Sequence, residues 1–300
     1  MLNRGELIKK QEISTEFGVT GRTIQRDIDD IRAFYYDNTL NIGYGKTIVF
    51  DRKRQGYRLT EAEKDMLTNS EILAVCKILL ESRSMRSDEI MPIIEKLLNC
   101  CIPESNKKAV KKLISNEQFH YVQPRHNKSI LNGLWEIGQA VEQNRVIIID
   151  YQKLNGETVN RTIEPAGLMF SEYYFYLVGF IKDIDKKEFH NPDDIFPTIY
   201  RIDRIKNFTV TDEHFTPIYS GRFEEGEFRK RVQFMYGGKL QKTKFEYSGP
   251  SIEAVLDRLP TAKVLKEENG VYLIEAETFG EGINMWLKSQ GENISNFIHN

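Results

Sequence analysis

Phe17-Gly18-Val19-Thr20-Gly21-Arg22-Thr23-Ile24-Gln25-Arg26-Asp27-Ile28 is the stretch on which the fold turns. Gly18 suits the left-handed end of one helix, where a Cβ would be strained. Thr20 suits the N-cap of the next, since its hydroxyl can accept from the free amides of the first turn. Ile24, Ile28 and Ile31 recur at i, i+4 and i+7, which predicts one buried stripe. Arg22, Gln25 and Arg26 then share the opposite face, beside Thr23. Arg can bond guanine bidentately and Gln can bond adenine. A second helix with such a face is what a major groove accepts. Taken alone, it is as well explained by an ordinary surface helix with charges in water.

The next segment shifts that balance. Lys46–Phe50 is strand-like, Asp51-Arg52-Lys53-Arg54-Gln55-Gly56 is a basic tip, and Tyr57-Arg58-Leu59 resumes a strand. This predicts a hairpin wing with Arg52, Lys53 and Arg54 where a phosphate backbone would run, with Lys46 at its start. Such contacts position a protein on DNA and add salt-dependent affinity. Residues 1–60 hold eleven Lys/Arg and eight Asp/Glu, a balance of +3 in a chain of net charge −2. One basic end on a near-neutral protein suits DNA contact at a single module.

Residues 5–60 resemble the winged helix-turn-helix of DeoR-like regulators, through Glu16-Phe17-Gly18-Val19-Thr20, Arg22–Ile28 and Arg54-Gln55-Gly56-Tyr57-Arg58-Leu59. That family has a further helix before the motif, of which only Leu2, Leu7 and Ile8 could remain here.

The rest of the 300 residues divides in turn. Residues 61–129 read as a helical linker, with Ile72, Val75, Cys76, Leu79 and Leu80 at helix spacing, then Ile90, Ile93, Ile94, Leu97 and Leu98. Gln118–Lys128, containing Pro124, reads as a connection. In 130–220 a helix around Ile130–Gln143 precedes strands at Val146–Tyr151, Val159–Ile163, Tyr173–Ile181, Thr198–Ile202 and Phe208–Val210. Asn155-Gly156 marks a hairpin turn, because both positions tolerate positive φ. A helix and five short strands suggest a small barrel. In 221–300 strands at Arg231–Tyr236, Thr243–Tyr247, Val264–Lys266 and Val271–Ala276 alternate with helices at Ser251–Leu259 and Gly282–Ser289, an α+β unit.

Residues 130–215 resemble a WYL domain, through Phe175-Tyr176-Leu177-Val178-Gly179, Arg161-Thr162-Ile163-Glu164-Pro165 and Tyr200-Arg201-Ile202-Asp203-Arg204-Ile205. Phe175 stands where the family usually has Trp, and Thr198 where many members have Arg. The resemblance implies an Sm-like five-stranded β-barrel that binds a negatively charged effector, a nucleotide or single-stranded nucleic acid. Arg161, Tyr176, Arg201 and Arg204 are the candidate ligand-binding residues. Arg forks match phosphate geometry and an aromatic face stacks bases. Tyr176 is also compatible with a core aromatic, and Arg204 with a partner of Asp203. Residues 222–300 resemble the extension that commonly follows WYL domains, through Leu256-Asp257-Arg258-Leu259-Pro260 and Trp286–Gly291. This implies a ferredoxin-like arrangement that helps dimerisation or effector binding.

The expectation is therefore a multidomain α+β regulator. Its partners would be a double-stranded DNA operator, the effector and a second copy in a homodimer. Other chemistries find less support. Gly43-Tyr44-Gly45-Lys46-Thr47 ends like a phosphate-binding P-loop, but Leu40 stands where that loop needs Gly. His120, His126, His190, His214 and His299 show no metal spacing. Cys100-Cys101 falls in a helical pattern and reads as packing, with metal binding as a weaker reading. No enzyme activity, metal or cofactor is expected. An odd count of three cysteines and the lack of a secretory pattern or membrane span suit the cytoplasm.

Overall fold

The computed structural model describes residues 1–2, 6–42, 46–61, 67–101, 104–182, 197–217 and 223–299. The chain forms two compact units, Met1–Pro124 and Arg125–Asn300. Gly43–Gly45 of the P-loop-like stretch, His190 and Arg222 lie outside the described residues.

In the first unit, helices α1 (Lys10–Phe17) and α2 (Gly21–Ile42) precede a hairpin of β1 (Lys46–Asp51) and β2 (Gly56–Glu61). A strand, not a helix, follows Gly45. Gly18 closes α1 at φ 65°, and its backbone amide is free to turn back because no Cβ opposes that conformation. The Thr20 hydroxyl accepts from the Thr23 amide at 3.3 Å, so it caps α2. Leu2, Ile24, Ile28, Ile48 and Tyr57 form the core, with Ile8, Ile13, Val19 and Leu59 against it. Ile8 is not helical. It exchanges two backbone hydrogen bonds with Tyr57, at 2.8 and 2.7 Å, and so extends the hairpin by one bridge. Gly56 faces this bridge; a Cβ there would lie 2.7 Å from Leu7 Cγ and 3.0 Å from the Ile8 carbonyl oxygen.

Ile31 corrects the expected stripe, since it is 39% exposed. The face of α2 that meets the hairpin runs through 24, 28 and 32. Arg32 takes the third position by donating from Nε to the Ile48 carbonyl at 2.9 Å.

Helices α3 (Asn69–Ser82), α4 (Ser87–Leu98) and α5 (Glu104–Phe119) complete the unit. Ile72, Cys76, Leu80, Ile90, Ile94, Leu98, Val110 and Ile114 are buried between them. A reciprocal capping box of Thr68 and Glu71 starts α3. Two expectations are corrected. Gln118 and Phe119 belong to the last turn of α5, not to a connection. Cys100 and Cys101 follow α4 instead of lying within it, one exposed and the other buried.

The second unit opens with α6 (Leu131–Glu142), followed by β3 (Arg145–Gln152), β4 (Thr158–Ser171), β5 (Tyr174–Ile181), β6 (Thr198–Arg201) and β7 (Ile205–His214). The strands pair antiparallel in the order β6-β5-β4-β3-β7. The sheet thus has β6 and β7 as its two edges, where a closed barrel was expected. β4 is far longer than expected, because a register shift between Pro165 and Gly167 lets it bend and continue. In the β3–β4 turn Gly156 alone takes positive φ, at 87°. Ile137 and Ala140 of α6 pack on Ile147, Ile149, Ile163, Leu177 and Tyr200, which line one face of the sheet. The other face carries Met169 and Val178, packed with Phe228, Val232 and Met235.

Phe228 belongs to α7 (Glu225–Arg231), and Val232 and Met235 follow that helix. No strand forms at Arg231–Tyr236; the segment makes only isolated bridges, and Phe234 and Met235 take left-handed φ. Then come β8 (Leu240–Tyr247), α8 (Ile252–Arg258), β9 (Lys263–Glu268), β10 (Val271–Phe279), α9 (Gly282–Ser289) and β11 (Ile294–His299). Their sheet is antiparallel in the order β11-β8-β10-β9, so each helix-linked strand pair brackets a third strand. Phe245, Ile274, Ala276, Ile283 and Trp286 fill the space beneath the helices.

Candidate nucleic-acid and effector sites

On α2, Arg22 and Arg26 are exposed. The Arg26 side chain is 74% exposed, and its one ion-pair contact among the described residues is at 4.0 Å to Asp27. Thr23 sits against the cap, its hydroxyl 3.0 Å from that of Thr20. Gln25 is placed differently from its neighbours. Its amide nitrogen donates to both oxygens of Asp29, at 3.1 and 3.2 Å, and its carbonyl oxygen accepts from the Tyr57 hydroxyl at 3.0 Å. Asp29 in turn pairs with Arg32 at 2.9 Å. Gln25 therefore ties α2 to the hairpin, and both ends of its amide are already engaged.

The wing tip is ordered by its own backbone. Asp51 Oδ1 accepts from the Lys53 and Arg54 amides at 3.0 and 3.1 Å, and Gln55 donates to the Arg52 carbonyl at 2.7 Å. This leaves the side chains of Arg52, Lys53 and Arg54 exposed. Lys46 is exposed too, but it begins β1 and pairs in register with Glu61. At about 3.4 Å per residue it stands roughly 17 Å from the tip. The three tip cations are therefore together and Lys46 is apart.

In the second unit Tyr176 and Arg201 are direct cross-strand partners on β5 and β6. Partners so paired project to the same side. Two residues back along β5, Tyr174 shares that side, and its ring centre lies 3.4 Å from the Arg201 guanidinium carbon. Asp203, in the short 3-10 turn after β6, accepts from Arg201 Nε at 3.1 Å and from Nη2 at 2.8 Å. Burial works against the charge on Arg201, but Asp203 more than offsets it and holds the pKa above the ordinary arginine value. Burial also raises the Tyr176 pKa, despite nearby Arg201. Two of the five N–H donors of Arg201 serve Asp203, so the fork keeps others for a ligand.

Arg161 is not part of this cluster. It pairs in register with Ile149, which points into the core beneath α6, so Arg161 lies on the face opposite Arg201. Its Nη1 donates to the Asn160 carbonyl at 3.3 Å. Arg204 ends the 3-10 turn, half-buried, and does not pair with Asp203, whose two oxygens are both held by Arg201. The sequence reading missed Tyr174. The signal was present, because residues 174 and 176 share a face at the period of two. Gly179, in the same strand, has a steric role: a Cβ there would lie 2.6 Å from Ile163 Cγ2 and 2.9 Å from the Glu164 carbonyl oxygen.

These strands and α6 coincide with a known family. Residues 134–210 match the family model of the WYL domain. The Tyr174–Tyr176–Arg201–Asp203 cluster lies inside the WYL domain so bounded. Among solved structures, the chain is similar to proteasome accessory factor B/C (PafBC) of Arthrobacter aurescens, at 16% identity and a TM-score of 0.30. That match covers 92% of this chain and 37% of that one, so the chain spans little more than a third of its length. No curated protein matches. Among the described residues, no group of three or more His, Cys, Asp or Glu could hold a metal, and no helix is long and apolar enough to cross a membrane.

Proposed function

We propose that the protein is an effector-responsive, DNA-binding transcriptional regulator without a catalytic step. Its winged helix grips an operator, and its WYL domain senses an anionic ligand. The observation that carries this reading is the pattern of exposed cations in the first unit. Arg22 and Arg26 project from α2 into solvent, and Arg52, Lys53 and Arg54 do so from the hairpin packed on the same core. Cations exposed at such points serve phosphate contact and base readout. In this reading Arg22 and Arg26 read bases, and the tip cations hold the backbone. Gln25 braces the motif.

The WYL cluster supports single-stranded nucleic acid as the effector. The Tyr174 ring lies against the Arg201 guanidinium, and the Tyr173 and Tyr176 rings meet Tyr174 edge to face, with ring centres 6.4 and 6.5 Å from it. Aromatic platforms beside a cation accept successive bases regardless of sequence. We propose that the working form is a homodimer on a palindromic site. Operator affinity measured with and without a single-stranded oligonucleotide tests the coupling. A shift of about 5–150-fold is expected for ordinary allosteric coupling. An unchanged operator affinity, despite measured oligonucleotide binding, would instead fit an adaptor that acts through a protein partner.

A further inference from the structure

A polar cavity of about 240 Å³ lies within Arg125–Asn300. None of the Arg201 cluster lines it. Its charged wall is made by Glu172 in the β4–β5 turn, Arg229 and Lys230 at the end of α7, and Asp257 and Arg258 at the end of α8, with Phe234 beside them. Lys230 is committed to Glu227. Arg229 is exposed and has no hydrogen bond or ion pair among the described residues. Arg258 lies with its guanidinium carbon 4.9 Å from the Phe234 ring centre and one nitrogen 3.5 Å from Glu172. Its Nε is buried and has no hydrogen-bond partner among the described residues. With Nε enclosed, the part of Arg258 that lines the cavity is the outer end of its guanidinium, on a side chain 38% exposed. The backbone around the cavity is unusual as well, for Glu172 and Phe234 both take left-handed φ, at 56° and 50°. Such conformations in residues other than glycine cluster at ligand sites.

We propose that this cavity binds a small phosphomonoester with a hydroxyl-bearing body, of the ribose-phosphate or nucleoside-monophosphate class. The phosphate accepts from Arg229 and from the exposed terminal nitrogens of Arg258, as guanidinium forks favour. Asp257 accepts from a sugar hydroxyl, the contact that carboxylates make to ribose in nucleotide-binding folds. The volume falls below the roughly 300–1,000 Å³ of drug-sized pockets, which suits a small ester. A bound ester would link α7, α8 and the β4–β5 turn. The proposal does not rest on the regulator reading.

Isothermal titration of the full chain with ribose 5-phosphate and with adenosine 5′-monophosphate tests it, with inorganic phosphate as the anion alone. Saturable binding of the esters, tighter than inorganic phosphate, is expected. Arg229→Gln and Arg258→Lys should each weaken it by about tenfold or more, the loss of a charge-assisted hydrogen bond. Asp257→Asn should weaken ester binding and leave inorganic phosphate unchanged. Thermal melts show whether each variant is folded, and the exposed Arg229 keeps the test informative if Arg258→Lys is not. The proposal is overturned if neither ester saturates, if Arg229→Gln binds like the parent, or if inorganic phosphate binds as tightly as the esters.

Discussion

Arg201 and Asp203 are joined by two hydrogen bonds, at 3.1 and 2.8 Å, around a carboxylate that is only 5% exposed. The clamp holds the guanidinium over the Tyr174 ring, its carbon 3.4 Å from the ring centre. Removing one partner of a desolvated pair leaves the other charge unmet, which costs more than the pair contributes. Asp203→Asn should therefore destabilise the second unit by about 2 kcal/mol. It should also weaken single-stranded oligonucleotide binding, because Arg201 is no longer held in place. A denaturation midpoint equal to that of the parent would show that the clamp contributes nothing.

Gln25 separates bracing from base reading. Gln25→Ala strips the Tyr57 hydroxyl and Asp29 of a shared partner. A loss of about 1–2 kcal/mol is expected in urea unfolding. Operator preference at adenine positions should be unchanged, as judged by selection on a randomised duplex. Relaxed preference at one adenine would return Gln25 to the reading face.

Acid stability of α7 follows from Glu227. Hydrogen bonds from Arg231 and then Lys230 hold its carboxyl down to about 2. An unfolded glutamate titrates near about 4.3. Because the folded value is the lower, the contribution is present above the unfolded value and is lost as pH falls toward 2. Carbon-detected NMR should place the Glu227 titration well below that of other glutamates. Glu227→Gln should flatten the acid limb of stability between those two values. A titration at the ordinary glutamate value would contradict the pairing.

Much of this was legible from local signals. Gly18 and Thr20 announced the helix boundaries because caps are local chemistry, and the β-branched run at Val146–Tyr151 announced β3. What escaped depended on distant partners. Ile31 has the right spacing for burial, but the hairpin reaches only as far as Arg32, whose Nε it engages. Arg231–Tyr236 has strand-like residues, yet α7 extends into it, and left-handed residues at Phe234 and Met235 prevent pairing. The four ligand candidates seemed close because their three motifs were expected to fall in one small barrel. Strand pairing instead puts Arg161 on the face opposite Tyr176 and Arg201, a register that no motif encodes.

The central claim is that the exposed cations of the first unit meet DNA in two different roles. Fluorescence anisotropy on a selected operator, across a range of salt, tests it with Arg22→Ala, Arg26→Ala, Arg52→Ala and Lys53→Ala. The first two should each cost about 1–3 kcal/mol on the operator and little on random duplex. The last two should weaken both duplexes alike and reduce the salt slope by about one each. Four variants that bind the operator like the parent, with the same salt slope, would contradict the account.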